Sequence, residues 1–202
     1  MDLRRAARAI GLGASALAVG IAVSGGRPRG IDERAFRALN GPGDARVDRA
    51  FRAVTELGSI FASVGAAGAL AVSGHRRAAR RGLAAAGMAW LAGQGMKRLF
   101  ERPRPYEADR DGTRLLIGPP RASAFPSSHP AVLLAFVDVA GRALGLGRGA
   151  RAALIGLAGA VGLSRVAVGV HYPADVVGGL LLGRAVAEAF PDAASAGRRV
   201  GR

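Results

Sequence analysis

His171 and Asp175 stand four residues apart in AVGLSRVAVGVHYPADVVGGLLLG, the run at 160–183, an otherwise apolar stretch that also holds Arg165. Residues spaced this way at a helix opening share a face. A carboxylate so placed can take the proton of one imidazole nitrogen, fix the tautomer and leave the other nitrogen free as a nucleophile. Pro173 suits the first helical turn, where no N–H partner is needed. A second histidine, His129, closes PSSH at 126–129. With an unperturbed pKa of about 6.5, it is suited to protonating a departing oxygen.

Lys97, Arg104 and Arg165 supply three positive charges, and like charges assemble stably only around an anion. Phosphate fits, because arginine forks grip its oxygens two at a time. Pro126 and Ser127 form a helix start, where exposed backbone N–H groups bind anions, and a hydroxyl of Ser127 or Ser128 could add a donor. Of the 29 basic side chains, Lys97 alone is lysine. A lone compact ammonium among guanidinium groups marks a place where the flat fork does not serve.

The elements that must position these residues are apolar helices. Half of the 202 residues are hydrophobic and only 5% aromatic. Ala9 to Gly26 and Leu57 to Gly74 are uncharged runs, each about long enough to cross a hydrocarbon core of roughly 30 Å. The first run follows Arg4, Arg5 and Arg8 and ends in small residues near Ser24 and Gly25, as a signal peptide would; its length favours an uncleaved helix. Shorter runs cover 82–96, 131–146, 152–163 and 176–190. The expected fold is all-α: one domain over 1–202, a six-transmembrane helical bundle. Alternating directions bring the ends of the third and fifth spans and the starts of the fourth and sixth to one membrane face. Lys97, Arg102, Arg104, PSSH, Ser164, Arg165, His171 and Asp175 converge there, and ionisable residues at such depth line functional cavities.

The net charge of +15 is distributed in short clusters between apolar runs, RRAAR at 4–8, RRAARR at 76–81 and the arginines at 198–202. This is the spacing of membrane flanks, not of a nucleic-acid stripe, so no nucleic-acid partner is expected. Without cysteine and with three histidines, neither a metal site nor a cofactor is expected. The clusters flank the spans closely on the face opposite the converging residues, which places the site outside the cytoplasm of a multi-pass protein in the cell membrane.

KRLFERPRP at 97–105, PSSH at 126–129 and SRVAVGVHYPAD at 164–175 together resemble, in order, the three signatures of the type 2 phosphatidic acid phosphatases, membrane-bound branch. The resemblance covers 97–175. It implies a metal-independent phosphatase acting on a phosphorylated lipid, a prenyl or glycerolipid phosphate or diphosphate, through a phosphohistidine intermediate. It makes Lys97, Arg104, Ser127, Ser128 through its backbone N–H, and Arg165 the phosphate holders, His171 the nucleophile, Asp175 its orienting partner and His129 the acid. Ser128 stands where the family usually has glycine, which admits the closest backbone approach. A lipid phosphotransferase and a non-catalytic lipid-phosphate-binding protein are the alternative readings. A soluble vanadate-using oxidase shares the family's site but not the apolar spans.

Elsewhere, His75 is read as a loop residue on the opposite face and Asp138 as facing a polar partner inside the bundle. Arg184 and Glu188 form a helix-surface pair at i, i+4. Residues 29–59 suit an amphipathic piece on the membrane surface. The long connection 106–125 carries Arg110, Arg114 and Arg121 as head-group candidates or solvated charges.

Overall fold

A computed structural model describes residues 2–24 and 30–191. The described residues form helices and no strand: α1 Leu3–Val23, α2 Gly30–Leu39, α3 Ala45–Glu56, α4 Ile60–Val72, α5 Arg76–Leu99, α6 Pro105–Ala108, α7 Ser128–Ala143, α8 Arg148–Ala167 and α9 Pro173–Ala189. Gly25, Gly26 and the arginines at 198–202 lie outside them. By length and composition α1 and α8 can each cross a membrane, and α3 with α4 makes a third candidate bent by 65°.

Local chemistry sets the starts of several helices. The Asp2 carboxylate accepts from Arg4 N at 3.1 Å and opens α1, and Ser59 Oγ accepts from Ala62 N at 3.0 Å and opens α4; each meets an orphan N–H of a first turn. Two starts repeat one device. Pro105 and Pro173 stand first in α6 and α9, and an acid two residues later folds back: Glu107 Oε2 accepts from Arg104 N at 2.7 Å, Asp175 Oδ2 from Tyr172 N at 2.8 Å.

The 18-residue span expected at Leu57–Gly74 is broken. Helix α4 has 13 residues, about 20 Å at 1.5 Å per residue, because Leu57–Ser59 turn the chain from α3 into α4. Gly58 allows this: a Cβ there would lie 2.7 Å from His129 Cβ and 2.6 Å from Val161 Cγ1. The first span also starts earlier than its uncharged run, at Leu3.

Helix α7 is the axis of the bundle, buried from Pro130 through Gly141. It packs on α5, α8 and α9, while α1 packs on α9. A methyl on Gly179 or Gly183 would overlap the carbonyl oxygens of Ser127 and Ala131. These two glycines therefore bring the α9 backbone against the start of α7. Exposed Ile10, Leu17, Ile21, Phe61, Val64, Leu91 and Val177 clothe the outside in hydrocarbon.

Opposite ends of the bundle are polar in different ways. At one end Asp138 accepts from Arg151 Nη2 at 2.7 Å and Arg184 Nη1 at 3.2 Å, and Glu188 pairs with Arg5 Nε at 3.2 Å and with Arg184. Asp138 thus has the polar partners expected. Arg184 and Glu188 are not a surface pair, since Glu188 is only 4% exposed and α1 and α7 close over it. The predicted site residues gather at the other end.

Helices α2 and α3 cap that end. Phe36 meets Tyr172 edge-on at 5.3 Å, and Asn40 Nδ2 donates to Arg114 O and Ala167 O, both at 2.8 Å. Residues 30–56 are therefore packed on α8 and α9. Arg114 is held at 2.6 Å by both oxygens of Asp48, while Arg110 and Arg121 are exposed. His75 is exposed at the far end, as expected.

Candidate active site

Four segments meet around one cavity of about 280 Å³: the end of α5 with the loop after it, the start of α7, the end of α8, and the loop into α9. Lys97, Arg104, Ser128, His129, Arg165 and His171 line it, with Gly58, Ile60, Phe61, Trp90 and Val132 forming its apolar side and Ser59 and Gln94 adding polar groups. Asp175 and Ser127 stand behind this lining, fully buried. Ser127 donates its N–H to Asp175 O at 2.9 Å, which ties the start of α7 to the start of α9.

The cations also hold the loops in place. Lys97 Nζ donates to Ser123 O and Pro126 O, both at 2.7 Å; an ammonium has three donors, so one remains for the cavity. Arg104 donates through Nε to Ala122 O and through Nη1 to Val170 O, both at 2.7 Å. Arg165 donates through Nη1 to Thr55 Oγ1 at 2.9 Å, and its Nε is buried with no protein acceptor. Ser127 Oγ and Ser128 Oγ are likewise buried without partners. Buried polar atoms are rarely left so, and Arg165 Nε and Ser128 Oγ at the cavity, with Ser127 Oγ behind them, suit an anion with several oxygens.

The tautomer of His171 follows from its neighbours. Arg104 Nη1 lies 3.3 Å from His171 Nε2, and a guanidinium can only donate. Nε2 is therefore the lone-pair nitrogen and Nδ1 carries the proton, 3.4 Å from Asp175 Oδ2 and without a hydrogen bond to it. Burial first, then the charges of Arg104, Lys97 and Arg165 and the imidazole of His129, hold the His171 pKa well below the usual histidine range. The ring is neutral at neutral pH, and His171 is one of the residues that line the cavity.

Sequence reasoning brought Arg102 to this end without giving it a partner, and it missed two residues that shape the site, Thr55 and Gly58. Arg102 donates from Nη1 to Asp175 Oδ1 at 2.6 Å. Thr55 is the acceptor for Arg165, and Gly58 is the close contact of His129. The pair Gly58–Ser59, a turn residue followed by a helix cap, was the available signal for the α3–α4 corner. Nothing in the spacing marked Thr55 or the partner of Arg102. Among the described residues no three His, Cys, Asp or Glu side chains are grouped to hold a metal ion.

Known proteins are similar to this chain in sequence and in fold. The family model described as the PAP2 superfamily matches residues 78–194. The decaprenylphosphoryl-5-phosphoribose phosphatase of Mycolicibacterium smegmatis is 33% identical over 156 residues, 75% of this chain and 82% of that protein. Its namesake in Mycobacterium tuberculosis is 36% identical over 107 residues, 53% of this chain and 55% of that one, so the match spans about half of that relative's length. In fold the chain is similar to Aquifex aeolicus LpxE, with a TM-score of 0.70 and 24% identity over 78% of this chain and 93% of that one. It is similar also to the transmembrane PAP2 type phosphatidylglycerolphosphate phosphatase of Bacillus subtilis, with a TM-score of 0.72 and 22% identity over 89% and 92% of the two chains.

Proposed function

The chain belongs to the PAP2 superfamily, and from that premise we propose that it is an integral membrane phosphatase that hydrolyses a lipid phosphate through a phosphohistidine, with no metal. Helices α1, α5, α7, α8 and α9 and the shorter α4, taken with the α3–α4 corner that precedes it, are read as six crossings, with the cavity at the extracytoplasmic face. The observation that carries the reading is the convergence of Lys97, Arg104, Arg165, His129 and His171 on one cavity.

The phosphoryl group sits among the three cations and the N-terminal N–H groups of α7, which take its non-bridging oxygens. His171 Nε2 attacks phosphorus as the bond to the lipid oxygen breaks, and His129 gives that oxygen its proton. Asp175 balances the charge that grows on the His171 ring. Water, deprotonated by His129, then attacks phosphorus, frees His171 and releases phosphate. The cations stabilise the charge a metal ion would otherwise meet. The relatives named for a decaprenyl-linked phosphoribose substrate favour a phosphomonoester on a prenyl-linked carrier. The apolar side of the cavity, with Phe61 and Trp90, suits the lipid end of such a substrate.

A panel of prenyl and glycerolipid phosphates offered to purified full-length protein in detergent with EDTA tests this. Phosphate release that persists in chelator and disappears in His171→Ala is expected. Release that stops with EDTA and returns with a divalent cation contradicts the metal-free route.

A further inference from the structure

Asp175 is fully buried, and a carboxylate so enclosed keeps its charge only with a cation against it. Arg102, itself buried, is that cation. Its Nη1 donates to Asp175 Oδ1 at 2.6 Å, its Nη2 pairs with Asp32 Oδ2, and its guanidinium lies 4.6 Å from the centre of the Tyr172 ring. The other oxygen of Asp175 accepts from Tyr172 N and faces His171. Asp32, on α2, accepts from Ala174 N at 2.9 Å, in the first turn of α9. An alternating chain of charge therefore runs Asp32, Arg102, Asp175, His171. Neither Arg102 nor Asp32 lines the cavity.

We propose that Arg102 is a positioning residue that keeps Asp175 ionised and aimed at His171, and that Asp32 sets how much of the Arg102 charge Asp175 receives. This rests on the phosphatase reading given above. Burial works against the Arg102 charge, but Asp175 and Asp32 outweigh it and raise its pKa above the ordinary arginine value. The guanidinium is thus a permanent charge in this place. Its fork geometry matters, because two carboxylates on different helices are held by two nitrogens of one plane.

The groups facing His171 are Arg104 from the loop after α5, Lys97 from α5, Arg165 from α8, His129 from α7 and Asp175 from α9; Arg102 and Asp32 face Asp175. Of these, Arg102 and Asp32 can be altered without touching the cavity. In Arg102→Gln the charge of Asp175 stands without a partner, so acid neutralises it sooner; any fraction left ionised draws a proton onto His171 more strongly. Both effects remove the reactive state at higher pH. In Asp32→Asn the Arg102 charge falls on Asp175 alone, with the opposite result.

The test is the pH profile of kcat/KM for phosphate release from a polyprenyl phosphate, using purified full-length protein in detergent. If the unaltered protein releases no phosphate from any lipid phosphate, the phosphatase reading itself fails. Given release, the acid limb is expected to move up by about one pH unit in Arg102→Gln, within the range of one neighbouring charge, down in Asp32→Asn, and to stay in place in Arg102→Lys at a lower kcat. A uniform loss of rate with unmoved limbs, or limbs of both variants moving the same way, overturns the proposal. Should Arg102→Gln not fold, Asp32→Asn decides: a limb moved down supports the proposal, and a limb unmoved or moved up overturns it.

Discussion

Arg104 Nη1 lies 3.3 Å from His171 Nε2 and donates at 2.7 Å to the carbonyl of Val170, the residue before it. One guanidinium thus fixes both the backbone that carries His171 and the nitrogen proposed to attack. The acid limb that His171 contributes to kcat/KM follows from this. In the proposed mechanism its neutral form is the reactive one, and burial with Arg104, Lys97 and Arg165 holds its pKa well below 6.5. The limb is therefore expected below 6.5, and in Arg104→Gln it moves up while KM rises. The same depression favours the neutral ring in the fold, so this contribution to stability is complete above 6.5 and is lost as the pH falls toward the folded pKa. Rate profiles and thermal melts in detergent read both.

Thr55 connects α3 to the anion site through Arg165. Thr55→Val removes the hydroxyl and keeps the shape, leaving one more buried donor of Arg165 without an acceptor. The loss of such a bond to a charged group, about 1.5–3 kcal/mol, predicts KM raised roughly tenfold or more with kcat less affected. Thr55→Ser should restore it. Steady-state kinetics on the two variants decide, and equal KM values would remove Thr55 from the account.

Gly58→Ala places a methyl against His129 and Val161 at the α3–α4 corner. Overpacking of this kind costs about 1–3 kcal/mol. Because the methyl presses on His129, the proposed acid, and not on the proposed phosphate holders, kcat is expected to fall further than KM rises. A stability loss with unchanged kcat per folded molecule would show that the corner does not position His129.

Asp138 and Glu188 anchor the far end of the bundle. Asp138→Asn leaves Arg151 and Arg184, both partly exposed, facing an uncharged partner, and weakening hydrogen bonds between charged groups costs about 1.5–3 kcal/mol. A clear drop in melting temperature with kcat unchanged per folded molecule is expected, because the network lies at the end opposite the cavity. Loss of kcat without loss of stability would contradict that separation.

Much of this site was legible because Lys97, Arg165, His171 and Asp175 are costly in apolar surroundings and so must meet something. Alternating helix directions then brought them to one end. What was not legible depends on distances along the chain that no periodicity encodes. Arg102 reaches Asp175 across 73 residues and Arg165 reaches Thr55 across 110, and no spacing in the sequence links the members of either pair. The Leu57–Gly74 run was read as straight because hydropathy averages over a Gly58–Ser59 break that only a packing partner explains. The i, i+4 pair Arg184–Glu188 was visible, but its burial was not, because Asp138 and Arg5 approach it from other helices.

The central claim is that phosphorus becomes bonded to His171, and trapping that adduct tests it most directly. His129→Ala, offered a radiolabelled lipid phosphate and quenched in alkali, should carry a phosphoryl group that peptide mass spectrometry assigns to His171 and that acid removes. His171→Ala should carry none. Phosphate released at an undiminished rate by His171→Ala, or label assigned to any other residue, would contradict the account.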